Sequence, residues 1–281
     1  MNYLHVILLA VIQATAELLP VSSSAHVILV EHWLGLDPSS PEMVFLLVML
    51  HTGTMGSVLY FFKNRWKPLL ADGAKELFIK LMLATAATGV LGIILKKIVE
   101  HFILGGGEAE VEDLFRMRNA VGFALIAAGT LIFLSGIYSK AKGHLASQPL
   151  TRKAAVIIGL VQGLCLPFRG FSRSGATISA ALGLRIKKDL AEDFSFLLAV
   201  IITPPVIVRS CYKLYKSVEK SGTSMDTLLH TVVAPGLTGA VVAFFAGIIA
   251  LKFLSKMLET NRWYLFGLYC YFVAAVMISG V

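Results

Sequence analysis

Apolar residues run almost unbroken through six stretches of the chain: Met43 to Phe62, Leu77 to Leu95, Ala120 to Tyr138, Phe194 to Val208, Thr231 to Leu251 and Trp263 to Val281. Each approaches the roughly 20 residues that an α-helix needs to cross the hydrocarbon core of a bilayer. The pattern predicts about six membrane-spanning helices. Two other apolar segments, residues 1–34 and 152–186, carry proline, glycine, serine and charge at their centres: "QATAELLPVSSSAH" in the first and "CLPFRGFSRSGAT" in the second. Neither reads as a straight span. Each predicts two half-helices joined by a break, a re-entrant hairpin. Non-helical backbone at membrane depth is tolerated only where protein or a water-filled cavity surrounds it, so both breaks should face inward.

The two hairpins can be laid over one another. Gln13 and Gln162 each follow an apolar turn, Pro20 and Pro167 come within seven residues of them, and Ser23 and Ser172 each lie ten residues on. Three spans follow each hairpin. That odd number makes the second hairpin enter from the face opposite the first, the plan of an inverted repeat with its site at the midplane. The expected organisation is an all-α integral membrane protein with a single membrane domain, residues 1–281, built from a repeat of about 1–140 and another of about 150–281.

Composition agrees with this reading: 57% of the 281 residues are hydrophobic, 15% are charged, and the mean hydropathy is +0.77. The apolar start Tyr3-Leu4-His5-Val6 lacks a positively charged leader and a cleavage site before Gln13, which argues against a removed signal peptide. The net charge of +8 does not form one basic face, so nucleic acid is not an expected partner. Segments 63–80, 139–153, 185–188 and 252–262 hold 15 of the 25 Lys and Arg residues, against eight flanking the other face. By the positive-inside rule the rich face is cytoplasmic, and the N-terminus and first hairpin open outward. The segment from His101 to Asp113 reads as a polar loop on the outer face. Cys165, Cys211 and Cys270, widely spaced in apolar sequence, read as packing residues.

Candidate chemistry lies in the two breaks. Gln13 and Glu17, four apart, share one helix face, and a carboxylate there needs a partner. Ser23 and His26 are an i, i+3 pair of hydroxyl and imidazole, the raw material of an activated nucleophile; capping by Ser22 and a hydrogen-bonded core His26 is the plainer reading. In the second break Gly170 permits close backbone approach. Ser172, Arg173 and Ser174 open a half-helix ending near Leu184, with Thr177 one turn on, so amides, helix dipole and guanidinium converge in a way that suits a phosphate. An Arg173–Glu17 ion pair across the bundle would also satisfy both groups.

These residues resemble the undecaprenyl pyrophosphate phosphatases of bacterial cell-wall synthesis, the bacitracin-resistance type. The likeness rests on Gln13 through Glu17 as an (E/Q)xxxE motif, on Pro20-Val21-Ser22-Ser23-Ser24-Ala25-His26, and on Gly170-Phe171-Ser172-Arg173-Ser174-Gly175-Ala176-Thr177. "LHTGT" at 50–54 resembles a turn of that family in the first full span. Arg169 stands where the family has proline. The resemblance implies hydrolysis of a C55 polyprenyl pyrophosphate to the monophosphate and inorganic phosphate, in the bacterial inner membrane, with the site open to the periplasm. Ser23 or His26 would be the nucleophile, with His26 as base when Ser23 attacks. Arg173, with Ser172, Ser174, Thr177 and Gly170, would hold the phosphate. Gln13 and Glu17 would orient groups or bind a divalent ion, Mg²⁺ or Ca²⁺, because the donors are oxygens. Expected partners are the lipid substrate and membrane lipids, with a homodimer as the candidate assembly. The rival class is an inverted-repeat transporter or flippase for an anionic lipid, which needs ligands and no nucleophile.

Overall fold

A computed structural model describes residues 2–37, 40–103, 118–142, 148–221 and 229–279. The described residues form ten α-helices: α1 Tyr3–Leu18, α2 Ser23–Trp33, α3 Pro41–Asp72, α4 Ala74–Ile98, α5 Arg118–Lys142, α6 Arg152–Leu164, α7 Arg173–Gly183, α8 Lys188–Ser221, α9 Ala234–Glu259 and α10 Tyr264–Ser279. Short π-helical turns follow α4 and precede α9. Side chains define several starts. Asn2 caps α1, Ser40 caps α3, Thr151 caps α6 and Ser172 caps α7, each accepting from a first-turn amide that has no intrahelical partner.

Five helices, α3, α4, α5, α8 and α9, are long and apolar enough to cross a membrane. The sixth expected span is α10, apolar but 16 residues long, or about 24 Å of rise. The expected loop from His101 to Asp113 falls largely outside the described residues. The chain at 50–54, expected as a turn, is continuous helix inside α3.

The pairings are symmetric in part. The main contacts of α1 and α6 lie with α9 and α4 respectively, while α3 packs on α8 and α5 on α10, and exchanging the first five helices for the last five, in order, leaves these pairs unchanged. The extensive packing of α3 on α9 breaks the symmetry, since its counterpart between α8 and α4 is slight. Small residues make the approaches close, as usual between membrane helices. A Cβ on Gly159 of α6 would strike the Ala84 carbonyl of α4, one on Gly53 of α3 the Ala240 carbonyl of α9, and one on Gly267 of α10 the Gly129 carbonyl of α5.

The hairpins enter from opposite ends. Val6 and Leu9 of α1 cluster with Met43 and Leu46 at the start of α3. Arg152 at the start of α6 pairs instead with Glu76 at the start of α4, at 2.8 Å. The four Lys/Arg-rich segments form one face, as the charge pattern implied. Beyond that ion pair, Gln148 N–H donates to the Arg185 carbonyl at 3.0 Å, and Lys188 Nζ to Asn261 Oδ1 at 2.7 Å. Near this face a polar clasp joins α3 to α8 and α9. Arg65 donates to Glu192 Oε2 and the Asp189 carbonyl, both at 2.8 Å, and lies 3.2 Å from Asp193 Oδ2. Trp66 Nε1 donates to Asp193 Oδ1 and Ser255 Oγ to Glu192 Oε1. Above it Phe62 stacks on Phe196, centroids 5.2 Å apart. Farther along the two helices lies the pocket.

Candidate active site

The first break begins where α1 meets Pro20. Leu19, before the proline, is forced to extended backbone, φ −75° and ψ 151°. The chain then turns through Ser22, whose φ of 68° lies in the left-handed region, and α2 starts at Ser23. The second break runs from Cys165 to Ser172 and turns at Gly170, φ +100°, where any Cβ would also strike the Val121 carbonyl of α5. That position requires glycine. Residues 19–22 close the first break and 165–172 the second, so Ser22, not Ser23, occupies the capping position that Ser172 holds.

The breaks meet, as expected. Gly170 N–H donates to Ser24 Oγ at 3.2 Å, Ser174 Oγ to the Glu17 carbonyl at 3.5 Å, and Arg173 Nη2 lies 3.9 Å from Glu17 Oε1. Glu17 is the centre of the cluster. Its Oε2 accepts from Gln13 Nε2 at 2.9 Å, confirming the shared helix face, and from Thr54 Oγ1 at 3.0 Å. Its Oε1 takes no hydrogen bond among the described residues; its neighbours are Arg173 and His51 Nε2, the latter 3.8 Å away. Gln13 also donates to His51 Nε2 at 3.3 Å.

Glu17, His51, Thr54 and Arg173 line one end of a pocket of about 260 Å³ including its open mouth, and Leu18, Met55, Val58, Phe196, Ala199, Val200 and Thr203 line the rest.

The hydroxyl–imidazole couple does not form as the spacing suggested. His26 Nδ1 donates to the Ser22 carbonyl at 2.8 Å, which leaves Nε2 as an acceptor for the Tyr269 hydroxyl of α10, also at 2.8 Å. The two rings stack, 5.6 Å between centroids and 8° apart. Both nitrogens are engaged away from Ser23, and neither Ser23 nor His26 lines the pocket. The i, i+3 spacing is right, but the Ser22 carbonyl and a distant tyrosine claim the ring first. Among the expected phosphate ligands, Arg173 reaches the pocket. Ser172 Oγ caps α7 by accepting from Gly175 N–H. Thr177 is buried and bonds the Arg173 carbonyl and Ser195 Oγ. Arg169 is exposed and outside the pocket lining.

Sequence reading missed His51, Thr54 and Tyr269. A signal existed for the first two, since polar residues inside an apolar span are functional candidates by default. For a divalent ion, Glu17 Oε1 is the one carboxylate oxygen of the cluster left without a hydrogen bond and would be the donor; Gln13, expected beside it as a ligand, turns its amide N–H and not its oxygen toward Glu17. Among the described residues no three His, Cys, Asp or Glu converge, and the protein would share the ion with substrate oxygens and water.

Comparison with known proteins gives the geometry a context. The family model described as bacitracin resistance protein BacA matches residues 6–276. The chain is 47% identical over 283 residues to a protein of Acinetobacter baylyi named undecaprenyl-diphosphatase 2, covering 99% of this chain and 98% of that one. It is 32% identical over 284 residues to undecaprenyl-diphosphatase 1 of Burkholderia pseudomallei, covering 96% and 94%. It is 31% identical over 294 residues to undecaprenyl-diphosphatase 2 of Burkholderia lata, covering 100% and 97%. A match of this length, over a chain whose two breaks meet at Glu17 and Arg173, places the protein in the BacA family of bacitracin resistance proteins.

Proposed function

We propose that the protein hydrolyses undecaprenyl pyrophosphate to the monophosphate and inorganic phosphate, the activity for which its relatives are named, and so recycles a lipid carrier of cell-wall synthesis. The observation that carries the reading is the convergence of Arg173, at the first position of α7, on Glu17 inside a pocket whose remaining wall is mostly apolar. The diphosphate sits at the breaks, and the isoprenyl chain passes Met55, Val58 and Val200 toward lipid. The Arg173 fork and the first two amides of α7, which have no intrahelical acceptor, bind the terminal phosphoryl oxygens and stabilise the charge that builds there. Attack on the terminal phosphorus breaks its bond to the bridging oxygen, and the prenyl monophosphate leaves.

Three nucleophiles fit this frame: Ser23, His26 and a water held by Glu17. For His26 to act through Nε2 it must give up its bond to Tyr269. Trapping a phosphoenzyme and locating the label separates the three. A divalent cation, Mg²⁺ or Ca²⁺ by the chemistry of the Glu17 carboxylate, would neutralise charge on the pyrophosphate. The Lys/Arg-rich face is cytoplasmic by the positive-inside rule. The pocket lies beyond the clasp from that face, which supports a site open to the periplasmic side of the inner membrane. The symmetric part of the helix pairing supports two inverted repeats of about 1–140 and 150–281 in one membrane domain.

The test is phosphate release from the C55 substrate by purified protein in detergent micelles. Arg173→Lys keeps the charge and loses the bidentate fork; a loss on the order of 100-fold is expected. Near-wild-type release by this variant overturns the assignment of Arg173 to the phosphate.

A further inference from the structure

We infer that His51 is a ligand of the divalent cation that serves this site, its Nε2 sharing the ion with Glu17 Oε1. The inference rests on the hydrolase reading above and adds a residue from a full membrane span to a site otherwise built from the two breaks.

Four observations carry it. His51 Nδ1 lies 2.7 Å from the Leu47 carbonyl, one turn back in α3, and can only donate to it. This fixes the tautomer with a lone pair on Nε2. Histidines that bind metals are held in this manner, the other ring N–H given to a carbonyl or carboxylate. That Nε2 stands 3.8 Å from Glu17 Oε1. Two ligands each roughly 2.0–2.2 Å from one first-row ion can be no more than about 4.4 Å apart, so one ion can reach both. Glu17 is itself held in a suitable orientation, since Gln13 and Thr54 occupy Oε2 and leave Oε1 toward the imidazole. The His51 side chain, 41% exposed, lines the pocket in which the substrate head group would sit, and Arg173 flanks the same Oε1 at 3.9 Å. A phosphoryl group placed there meets the ion on one side and the guanidinium on the other.

Two consequences distinguish this role from a merely structural one. With only two strong protein ligands, the site completes its coordination with diphosphate oxygens and water, so cation and diphosphate bind together more tightly than either alone. An imidazole ligand also biases the site toward ions such as Mn²⁺ over Ca²⁺, which takes oxygen ligands. The alternative role for His51, as an acceptor that steers the Gln13 amide, brings its nitrogen into no bond with a metal.

The experiment loads the full-length protein in detergent micelles with Mn²⁺ and methylenediphosphonate and records pulsed electron spin echo modulation. The expected result is modulation from a directly bound imidazole ¹⁴N in the wild type, lost in His51→Gln and retained in His26→Gln. Bound Mn²⁺ without nitrogen modulation, modulation that survives in His51→Gln, loss of modulation in His26→Gln, or no bound Mn²⁺ overturns the inference. Phosphate release from the lipid substrate is measured on the same wild-type preparation. Absence of release sinks the hydrolase reading, whereas release without nitrogen modulation sinks the role of His51 alone.

Discussion

Gln13 and Gln162 occupy corresponding places in the two hairpins, yet their surroundings differ. Gln13 bridges Glu17 and His51 at the rim of the pocket. Gln162 is buried between α6 and α4; its amide donates to Thr88 Oγ1 at 3.0 Å and its carbonyl oxygen has no partner among the described residues. Four residues on, the first hairpin has Glu17 and the second has Leu166. The second hairpin instead places its charge after the break, on Arg173. The two hairpins thus supply a carboxylate from a helix C-terminal end and a guanidinium from a helix N-terminal end. Two copies of the same chemistry would bring like charges together. The division makes an ion pair where the two breaks meet.

The division can be broken from either side. Glu17→Gln removes the carboxylate and leaves Arg173 without its counter-charge; phosphate release should fall on the order of 100-fold, measured as kcat on the C55 substrate. Gly170→Ala comes next. It imposes a Cβ at φ +100° and against the Val121 carbonyl, at a cost of roughly 1–3 kcal/mol in backbone strain alone, seen as a lower unfolding midpoint in detergent together with reduced turnover. The glutamines give a paired test. Gln13→Met should lower turnover about tenfold, one lost orienting hydrogen bond's worth. Gln162→Met, which removes an unsatisfied carbonyl, should change stability by under about 1.5 kcal/mol and leave turnover within about twofold. Equal effects of the two would erase the distinction between the hairpins. Ser22→Gly should have the smallest effect. It relieves the left-handed φ of 68° but loosens the unfolded chain by about 0.4–1 kcal/mol, so the midpoint should stay nearly constant.

Much of this architecture is legible in the chain alone. Proline, glycine and serine inside apolar sequence mark both breaks, and the odd number of spans implies that they enter from opposite ends. The Lys and Arg distribution identifies segments that prove to touch. Glu17 and Arg173 pair on sequence grounds because each is a charge inside apolar sequence in need of a partner. What is not legible depends on contacts between helices distant in the chain. His51 and Thr54 face Glu17 only because α3 packs on α1. Tyr269 reaches His26 across 243 positions. The clasp of Arg65 with Glu192 and Asp193 is likewise set by how α3 and α8 cross. The expected Ser23–His26 couple fails for a local reason: helical spacing gives proximity, but the Ser22 carbonyl four residues back competes for the ring.

The clasp also sets the leverage on the pocket. From Arg65 to His51 is 14 residues of continuous helix, or roughly 21 Å of rise. A tilt of about 5° at the fastened end therefore carries the far end of α3 by roughly 2 Å over that length, enough to separate His51 from Glu17 or bring them together. The anchoring of Arg65, outside the pocket, thus fixes the bearing along which α3 carries His51 to Glu17.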